Sequence, residues 1–208
     1  MTRSANKPNI KSKEQPQEGT HVARLLGITD LGHQPGFVFE GKPIESAWKF
    51  EYTYELVNHK MEDERPFLIS EDVTSKDWED KDTGRCSTMI ARAKALMGSE
   101  YRKGMDDLAL QLSKPCMVTI RMNKKGYPKI AGQAGVGSIP FGMDVAELTN
   151  ETYFFDMGVK LPNGQWSGEP NMEIWEKMPE FKQEKIRSAL NFSETRLAEI
   201  LNEDDLPL

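Results

Sequence analysis

Cysteine and histidine are scarce in this sequence. Its 208 residues include two cysteines, Cys86 and Cys116, and three histidines. Two cysteines cannot build a disulfide framework, and such sparse use is typical of proteins in a reducing cytosol. No cysteine or carboxylate stands at metal-ligand spacing from a histidine. We therefore expect a cytoplasmic protein that holds no metal and needs no cofactor.

Long apolar runs are missing as well. No stretch of about 18 apolar residues occurs, and residues 1–18 lack the apolar segment of a secretion signal. We expect neither a membrane protein nor an exported one. Residues 1–18 are instead rich in Lys, Asn, Gln and Pro, which predicts a disordered basic N-terminal arm.

Recognisable catalytic motifs are also lacking. The sequence has no nucleophile elbow, and the glycines of residues 132–142 are not followed by the Gly-Lys-Ser/Thr of a phosphate loop. Glu40 and Lys42 have the Glu-x-Lys spacing of some nuclease active sites, but no Asp stands shortly upstream to share a metal with them. The sequence therefore predicts a protein without enzymatic activity.

Acidic and basic residues are unevenly distributed along the chain, whose net charge is −6. Residues 1–143 hold 21 Lys and Arg against 19 Asp and Glu, whereas residues 144–208 hold 6 against 14. This asymmetry is typical of a body that meets a polyanion and a tail that does not. A solvated acidic helical surface would produce it too.

The most regular stretch covers residues 46–57, where bulky and polar side chains alternate strictly. The bulky set is Trp48, Phe50, Tyr52, Tyr54 and Leu56. This pattern predicts a half-buried strand, whose aromatic row is either core or a platform on which bases stack. Turning the row outward would bury two unpaired carboxylates at a cost of several kcal/mol, so we expect the row to face the core. Trp48 and Lys49, at its start, remain able to reach a nucleic acid.

The order of elements predicts a small β-barrel. The expected strands are residues 20–32 (bent at Gly27), 46–57, 66–74, 115–123 and 127–131. Helical spacing begins at Ser87, with Gly98 as the C-terminal cap, and a second short helix is expected over residues 105–112. Five strands with a helical insert between strands 3 and 4 are the arrangement of an OB-fold, although SH3-like barrels and split α+β sheets share the order.

We divide the chain accordingly. Residues 19–143 form the expected OB-fold domain, and residues 144–202 form an irregular and helical C-terminal extension. Within that extension we expect a helix from Pro179 to Leu190 and a last helix capped by Ser193. Residues 203–208 form an acidic tip.

A basic segment favours nucleic-acid binding. Sixteen residues that contain no acid hold five cations, namely Lys114, Arg121, Lys124, Lys125 and Lys129. The alternation predicts that Arg121, Tyr127 and Lys129 face outward from a hairpin. Cations beside an aromatic ring can follow a phosphate backbone while a base stacks, although a solvated hairpin would look the same.

Two further segments carry aromatic and basic residues together. The loop after the first strand carries Phe37, Phe39 and Lys42, and OB-folds bind oligonucleotides with the loops after strands one and four. Trp78 with Lys76 is a weaker candidate because acids surround it. The complete set of expected single-stranded DNA-binding residues is Arg24, Phe37, Phe39, Lys42, Trp48, Lys49, Lys76, Trp78, Arg121, Lys124, Lys125, Tyr127 and Lys129.

The C-terminus reads Glu203-Asp204-Asp205-Leu206-Pro207-Leu208. A partner protein could take the terminal carboxylate in a basic pocket and Leu208 in an apolar one. The tip resembles that of bacterial single-stranded DNA-binding proteins, which ends in Asp-Asp-Asp-Ile-Pro-Phe. We therefore expect these six residues to bind a partner protein.

Several short motifs resemble bacteriophage-encoded single-stranded DNA-binding proteins. They are Glu18-Gly-Thr-His-Val-Ala-Arg, Asp30-Leu-Gly, the Trp48 strand, Arg65-Pro-Phe, Lys114-Pro-Cys and Pro179-Glu-Phe through Lys185-Ile. The resemblance covers residues 18–132, with weaker similarity from 174 onward. It implies an OB-fold that coats single strands during DNA replication and recombination in the host cytoplasm, without enzymatic activity. Self-association into a homo-oligomer is compatible with this prediction. The alternative is a non-enzymatic protein-interaction or assembly module built on the same small barrel.

Overall fold

The computed structural model of the chain describes residues 14–80, 82–102, 108–135 and 138–204. Its strands are β1 (Gly19–Gln34), β2 (Phe37–Phe39), β3 (Lys42–Ile44), β4 (Ala47–Lys60), β5 (Pro66–Thr74), β6 (Pro115–Met122), β7 (Pro128–Ala134) and β8 (Tyr153–Phe155). Its α-helices are α1 (Thr88–Met97), α2 (Met172–Lys177), α3 (Glu180–Arg187) and α4 (Arg196–Asp204). Short 3-10 turns cover Gly98–Glu100, Leu108–Gln111 and Phe192–Glu194. No helix among the described residues has the length and apolar character needed to cross a membrane.

Five long strands form one antiparallel sheet in the order β5-β4-β1-β6-β7. The protein is therefore mainly β, with helix α1 between the third and fourth long strands as the sequence predicts. Strands β5 and β7 stand at the two ends of this path and approach each other to within 8 Å between Cα atoms. No hydrogen-bonded ladder joins them in the described ranges, so a closed barrel is not found.

Strand β1 is irregular next to Gly27, the position at which the sequence predicts a bend. Its register against β4 shifts between Leu25 and Gly27, which is a β-bulge. The glycine has a second function that local pattern does not reveal. A Cβ atom at this position would lie 2.1 Å from the ring of Tyr153, so only glycine lets β8 pair alongside β1.

The side chains of β4 are buried on both faces. Tyr52, Tyr54 and Leu56 are fully buried in the main core, which confirms the expected orientation of the aromatic row. Glu51 and Glu55, on the opposite face, are buried as well because the C-terminal extension covers that face. Their carboxylates are paired, so their burial does not carry the cost of an isolated charge.

The two buried carboxylates are held by different kinds of donor. Glu55 accepts hydrogen bonds from the backbone N–H groups of Thr149 and Asn150 at 2.6 and 3.2 Å, and from the Asn150 side chain at 2.7 Å. Glu51 forms an ion pair with Lys182 of α3. The extension therefore supplies both hydrogen-bond donors and a cation to the outer face of the sheet.

The extension also builds a second hydrophobic core against β1. This core comprises Leu31, Phe155, Met157, Trp175, Met178, Ile186, Ala189 and Leu197. The rings of Phe155 and Trp175 stack with their centroids 6.0 Å apart. Residues 144–170, the part of the extension for which no helix or strand is predicted above, thus contain strand β8 and take part in the packed body of the protein.

Helix α1 has the caps that the sequence predicts, whereas helix α4 begins at a different cap. The Ser87 hydroxyl accepts a hydrogen bond from the Ile90 N–H, and Gly98 ends α1 with a positive φ of 54°. Helix α4 is capped by Thr195, whose hydroxyl accepts from Ala198 N–H, rather than by Ser193. The expected helix over 105–112 is a 3-10 turn at Leu108–Gln111, and residues 103–107 lie outside the described ranges.

A buried polar network lies beside the gap between β5 and β7. Arg92 of α1 makes a bidentate ion pair with Glu71 of β5, at 2.6 and 2.7 Å, and both side chains are largely buried. The Tyr54 hydroxyl lies 3.2 Å from Glu71 Oε1 and 3.5 Å from Gln133 Oε1 of β7. Side chains therefore connect the two strands where the backbone does not.

The folded body begins earlier than the expected boundary at residue 19. Pro16 is buried, and the Gln17 carbonyl lies 2.9 Å from Nε2 of His21. The Glu18 carboxylate accepts from the Met122 N–H at 2.6 Å. Residues 14–18 thus lie against β1 and β6 instead of belonging to a disordered arm, whereas residues 1–13 fall outside the described part of the chain.

Candidate nucleic-acid interface

The β6–β7 hairpin presents the basic segment as the sequence predicts. Val118 and Ile120 point into the core and are fully buried, while Arg121 lies directly opposite Lys129 on the exposed face. Asn123 holds the turn, because its side-chain oxygen accepts from the N–H groups of Lys125 and Tyr127 at 2.8 and 3.1 Å. The strand register and the Asn123 hydrogen bonds therefore hold these side chains in a fixed arrangement on the protein surface.

The charges on this hairpin have no counterions within the described structure. Arg121, Lys124, Lys125 and Lys129 are exposed, and none of the four makes an ion pair with another described residue. Like charges placed directly opposite each other destabilise a strand pair. A bound anion would relieve that repulsion between Arg121 and Lys129.

An aromatic ring stands beside these cations. The Tyr127 side chain, 59% exposed, follows the turn and lies two residues before Lys129. Lys114, the fifth cation of the acid-free segment, is instead paired with Glu100 at 2.7 Å. The basic surface consequently reduces to four cations and one tyrosine.

The loop after β1 folds into a second hairpin, which sequence reasoning did not predict. Its strands β2 and β3 pair Phe37 with Ile44 and Phe39 with Lys42. The two-residue turn has positive φ at both positions, 48° at Glu40 and 75° at Gly41, as tight antiparallel hairpins require. Glu40 thus lies in the turn, and Lys42 lies in strand β3.

This β2–β3 hairpin exposes an apolar and basic surface. The rings of Phe37 and Phe39 are 52% and 57% exposed, and Val38 and Ile44 are exposed as well. The Lys49 ammonium lies 5.6 Å from the centroid of the Phe37 ring, within the range of a cation–π contact. The expected aromatic residues of this segment are therefore accessible, with a cation beside one of them.

Trp48 lies at the base of this hairpin and is half-buried. Its indole N–H donates to Asp30 Oδ1 at 2.8 Å, and its residue pairs with His33 near the end of β1. The ring is therefore fixed in orientation by a buried carboxylate. The sequence predicts Trp48 as a binding residue but not Asp30, because the two are 18 positions apart and only the strand pairing brings them together.

Asp30 has an unusual environment. Burial raises the pKa of its carboxyl from 3.8 to about 7, against the opposing effect of the hydrogen bonds from Gly32 N–H and Trp48. The charge of nearby Asp156 raises it further. A carboxyl that changes charge near neutral pH inside a protein is a candidate functional group.

The remaining expected residues divide into two kinds. Lys76 and Trp78 are exposed in the loop that follows β5, near the β2–β3 hairpin because Lys49 pairs with Thr74. Arg24 is largely buried and bonds to the carbonyls of Ser113, Val145 and Ala146 and to the Glu147 carboxylate. Arg24 therefore anchors the extension, and it does not belong to the exposed candidate surface in which the sequence placed it.

The two hairpins lie at opposite ends of β1. The β2–β3 hairpin follows Gln34, which pairs with Ala47, whereas the β6–β7 turn follows the segment in which Ile120 pairs with Gly19. A ligand that contacts both hairpins must therefore extend along the protein. A polymer satisfies that requirement and a small molecule does not.

The acidic tip falls largely outside the described residues. Glu203 and Asp204 end helix α4, and residues 205–208 lie beyond it. Within the described ranges, no cluster of three or more His, Cys, Asp or Glu side chains is arranged to hold a metal ion.

Comparison with known protein families, with curated proteins and with solved structures gave no match.

Proposed function

We propose that the protein binds single-stranded DNA with little sequence preference and coats it during replication or recombination. The observation that carries this proposal is the β6–β7 hairpin, where Arg121 lies directly opposite Lys129 beside the exposed Tyr127. Cations that follow a phosphate backbone, next to a ring on which a base stacks, are the chemistry that sequence-tolerant binding of single strands requires.

The sheet path supports this reading. Numbered along the chain, the long strands β1, β4, β5, β6 and β7 follow the order 3-2-1-4-5, with α1 between the third and fourth. We interpret this path, with the approach of β5 to β7, as a partly open OB-fold barrel. The two exposed hairpins then occupy the loops after barrel strands one and four, with which OB-folds contact oligonucleotides.

The acidic tip has a separate task in this proposal. Residues 203–208 carry three carboxylates and a Leu-Pro-Leu end, and we propose that they recruit replication or recombination proteins. A negative segment would also compete with DNA for the basic surface. Removing it should therefore leave DNA affinity unchanged or increase it, and loss of DNA binding on truncation before Glu203 would argue against the assigned task.

A salt titration of oligo-dT binding tests the main proposal. Four hairpin cations that each neutralise one phosphate predict a slope of about −3 in log affinity against log salt concentration. The charge-reversed Arg121→Glu/Lys129→Glu variant should lose most of the affinity and flatten that slope. The matched control is Lys160→Glu/Lys177→Glu, which makes the same charge change on exposed lysines of the extension. Equal affinity for duplex and single-stranded DNA would refute the proposal.

A second candidate function is a protein-interaction module. It is favoured by the β2–β3 hairpin, where four apolar side chains are exposed on six strand residues, because exposed apolar patches mark interaction surfaces. Charge reversal at Arg121 and Lys129 that leaves DNA affinity unchanged would favour this reading. Loss of a protein partner on Phe37→Ser/Phe39→Ser, with DNA binding retained, would point the same way.

A further inference from the structure

A cavity of about 410 Å³ lies between the end of the sheet and the C-terminal extension. This volume falls within the range of about 300 to 1,000 Å³ that small-molecule sites occupy. Its walls include three partly buried aromatic rings and three polar side chains, namely Trp48, Phe50, Phe154, Asp30, Asp156 and Ser167. None of the described residues that line it is basic.

Asp30 has an accepting oxygen that the protein does not use. Its residue is only 5% exposed, and its two hydrogen bonds, from Gly32 N–H and from Trp48 Nε1, both end on Oδ1 at 2.8 Å. Oδ2 has no partner among the residues described. Because Asp30 lines the cavity, a ligand that brings an N–H group into it can donate to this second oxygen.

Asp156 and Ser167 form the second polar wall of the cavity. The Ser167 hydroxyl lies 3.3 and 3.2 Å from the two carboxylate oxygens of Asp156, and the Gly158 N–H donates to Asp156 Oδ1 at 2.7 Å. Because two carboxylates line the cavity, a phosphate group is disfavoured inside it. The aromatic rings favour a flat ring in the same space.

We propose that this cavity binds a nucleobase that carries an amino group (guanine, adenine or cytosine) in preference to thymine. The base stacks on the aromatic walls, its amino group donates to Asp30 Oδ2, and its phosphate remains outside. Thymine has a carbonyl oxygen in place of the amino group, and that oxygen would face the acceptor. A site that offers an unpaired acceptor discriminates against such a ligand.

The base has two possible sources. Trp48 links the cavity to the base of the β2–β3 hairpin, so a nucleotide of a bound single strand can enter it, and this source rests on the function proposed above. A free mononucleotide presents the same base. The chemistry of recognition is common to both sources, and the two are separable by experiment.

Calorimetric titration of the full chain with dGMP, dAMP, dCMP and dTMP measures the free nucleotide. Fluorescence anisotropy with a dT oligonucleotide, and with the same oligonucleotide carrying one dG or dC, measures the strand. At pH 8.5, where the Asp30 carboxyl is ionised, we expect amino-bearing bases to bind about 10-fold more tightly than thymine in at least one series, the size that one hydrogen bond to a charged group confers. Preference among mononucleotides alone identifies a free-nucleotide site, and preference among oligonucleotides alone identifies a strand subsite.

The Asp30→Asn variant tests the assigned contact. The donors from Gly32 and Trp48 hold an oxygen at the Oδ1 position, so the new amide NH₂ must lie where Oδ2 was. The preference should then reverse toward thymine. If that variant does not fold, Phe154→Leu keeps an apolar wall but removes a stacking surface, and it should weaken binding of the amino-bearing bases.

Equal binding of all four mononucleotides, together with no binding difference between the oligonucleotides, would overturn the proposal. An unchanged preference in a folded Asp30→Asn variant would overturn it as well, as would unchanged affinity in Phe154→Leu. Oligo-dT binding that depends steeply on salt but shows no base preference would leave the single-strand function standing without this site. A base preference among mononucleotides without oligonucleotide binding would leave the site standing without that function.

Discussion

The Asp30→Asn substitution should change how the stability of the protein depends on pH. Burial raises the pKa of the Asp30 carboxyl from 3.8 to about 7. Below pH 4 the group is protonated in both the folded and the unfolded chain. Between pH 4 and 7 the unfolded chain loses this proton first, so the free energy of unfolding falls as the pH rises. Above pH 7 the loss is complete.

The size of the effect follows from the shift. A change of about 3 pKa units at about 1.4 kcal/mol each corresponds to a contribution of about 4 kcal/mol that is present at pH 4 and absent at pH 8. Asparagine keeps an oxygen for Gly32 N–H and Trp48 but cannot ionise. The variant should therefore gain stability relative to the wild type as the pH rises.

Equilibrium urea unfolding at pH 4.5, 6 and 8 measures this difference through the midpoint at constant m-value. The wild type and Asp30→Asn should differ least at pH 4.5 and most at pH 8, in favour of the variant by a few kcal/mol. Asp82→Asn, which removes an exposed carboxylate, serves as the control for the change in net charge. A difference between the wild type and Asp30→Asn that stays constant with pH would refute the reasoning.

Two further substitutions test the packing. Gly27→Ala places a methyl group against the Tyr153 ring and should destabilise the fold by about 1–3 kcal/mol in urea unfolding. In a Tyr153→Ala background the same substitution should cost much less. If the losses of the two single variants simply add in the double variant, the close approach is contradicted. Arg92→Met should cost about 3–5 kcal/mol because it leaves the buried Glu71 carboxylate unpaired. The Arg92→Met/Glu71→Met variant should lose less stability than Arg92→Met alone, because it leaves no unpaired carboxylate. A larger loss would show that the hydrogen-bonded side chains themselves stabilise the junction of β5 and β7.

Elements that depend on neighbouring residues were predictable from the sequence. Strand β5 has the expected bounds, and the Ser87 and Gly98 caps of α1 follow directly from residue type and position. The inward orientation of Tyr52 and Tyr54 follows from strict alternation along one strand. In each case the determining contacts lie within a few residues or on one face of one strand.

Features that depend on distant residues were not predictable in this way. Strand β8 is only three residues long, and it forms because Gly27, over a hundred positions earlier, admits the Tyr153 ring. Glu55 is satisfied by backbone N–H groups of Thr149 and Asn150, which no side-chain pattern reveals.

The candidate surface shows the same division. The cations and Tyr127 of the β6–β7 hairpin were visible as an acid-free segment. Arg24 and Lys114 are also cations that the sequence offers for contact with a phosphate, but each forms an ion pair with a glutamate of another segment. Composition therefore identifies which residues can meet a phosphate, and only tertiary contacts show which of them are already occupied.

The cover that the extension places on β1 and β4 has a consequence for synthesis of the chain. The partners of Gly27, Glu51 and Glu55 come from residues 149–182, so the outer face of these strands remains open until most of the chain has left the ribosome. Contacts of such large sequence separation form slowly and leave strand surface accessible meanwhile. A pause in translation between residues 143 and 182 would therefore prolong the interval in which nascent chains can associate with one another.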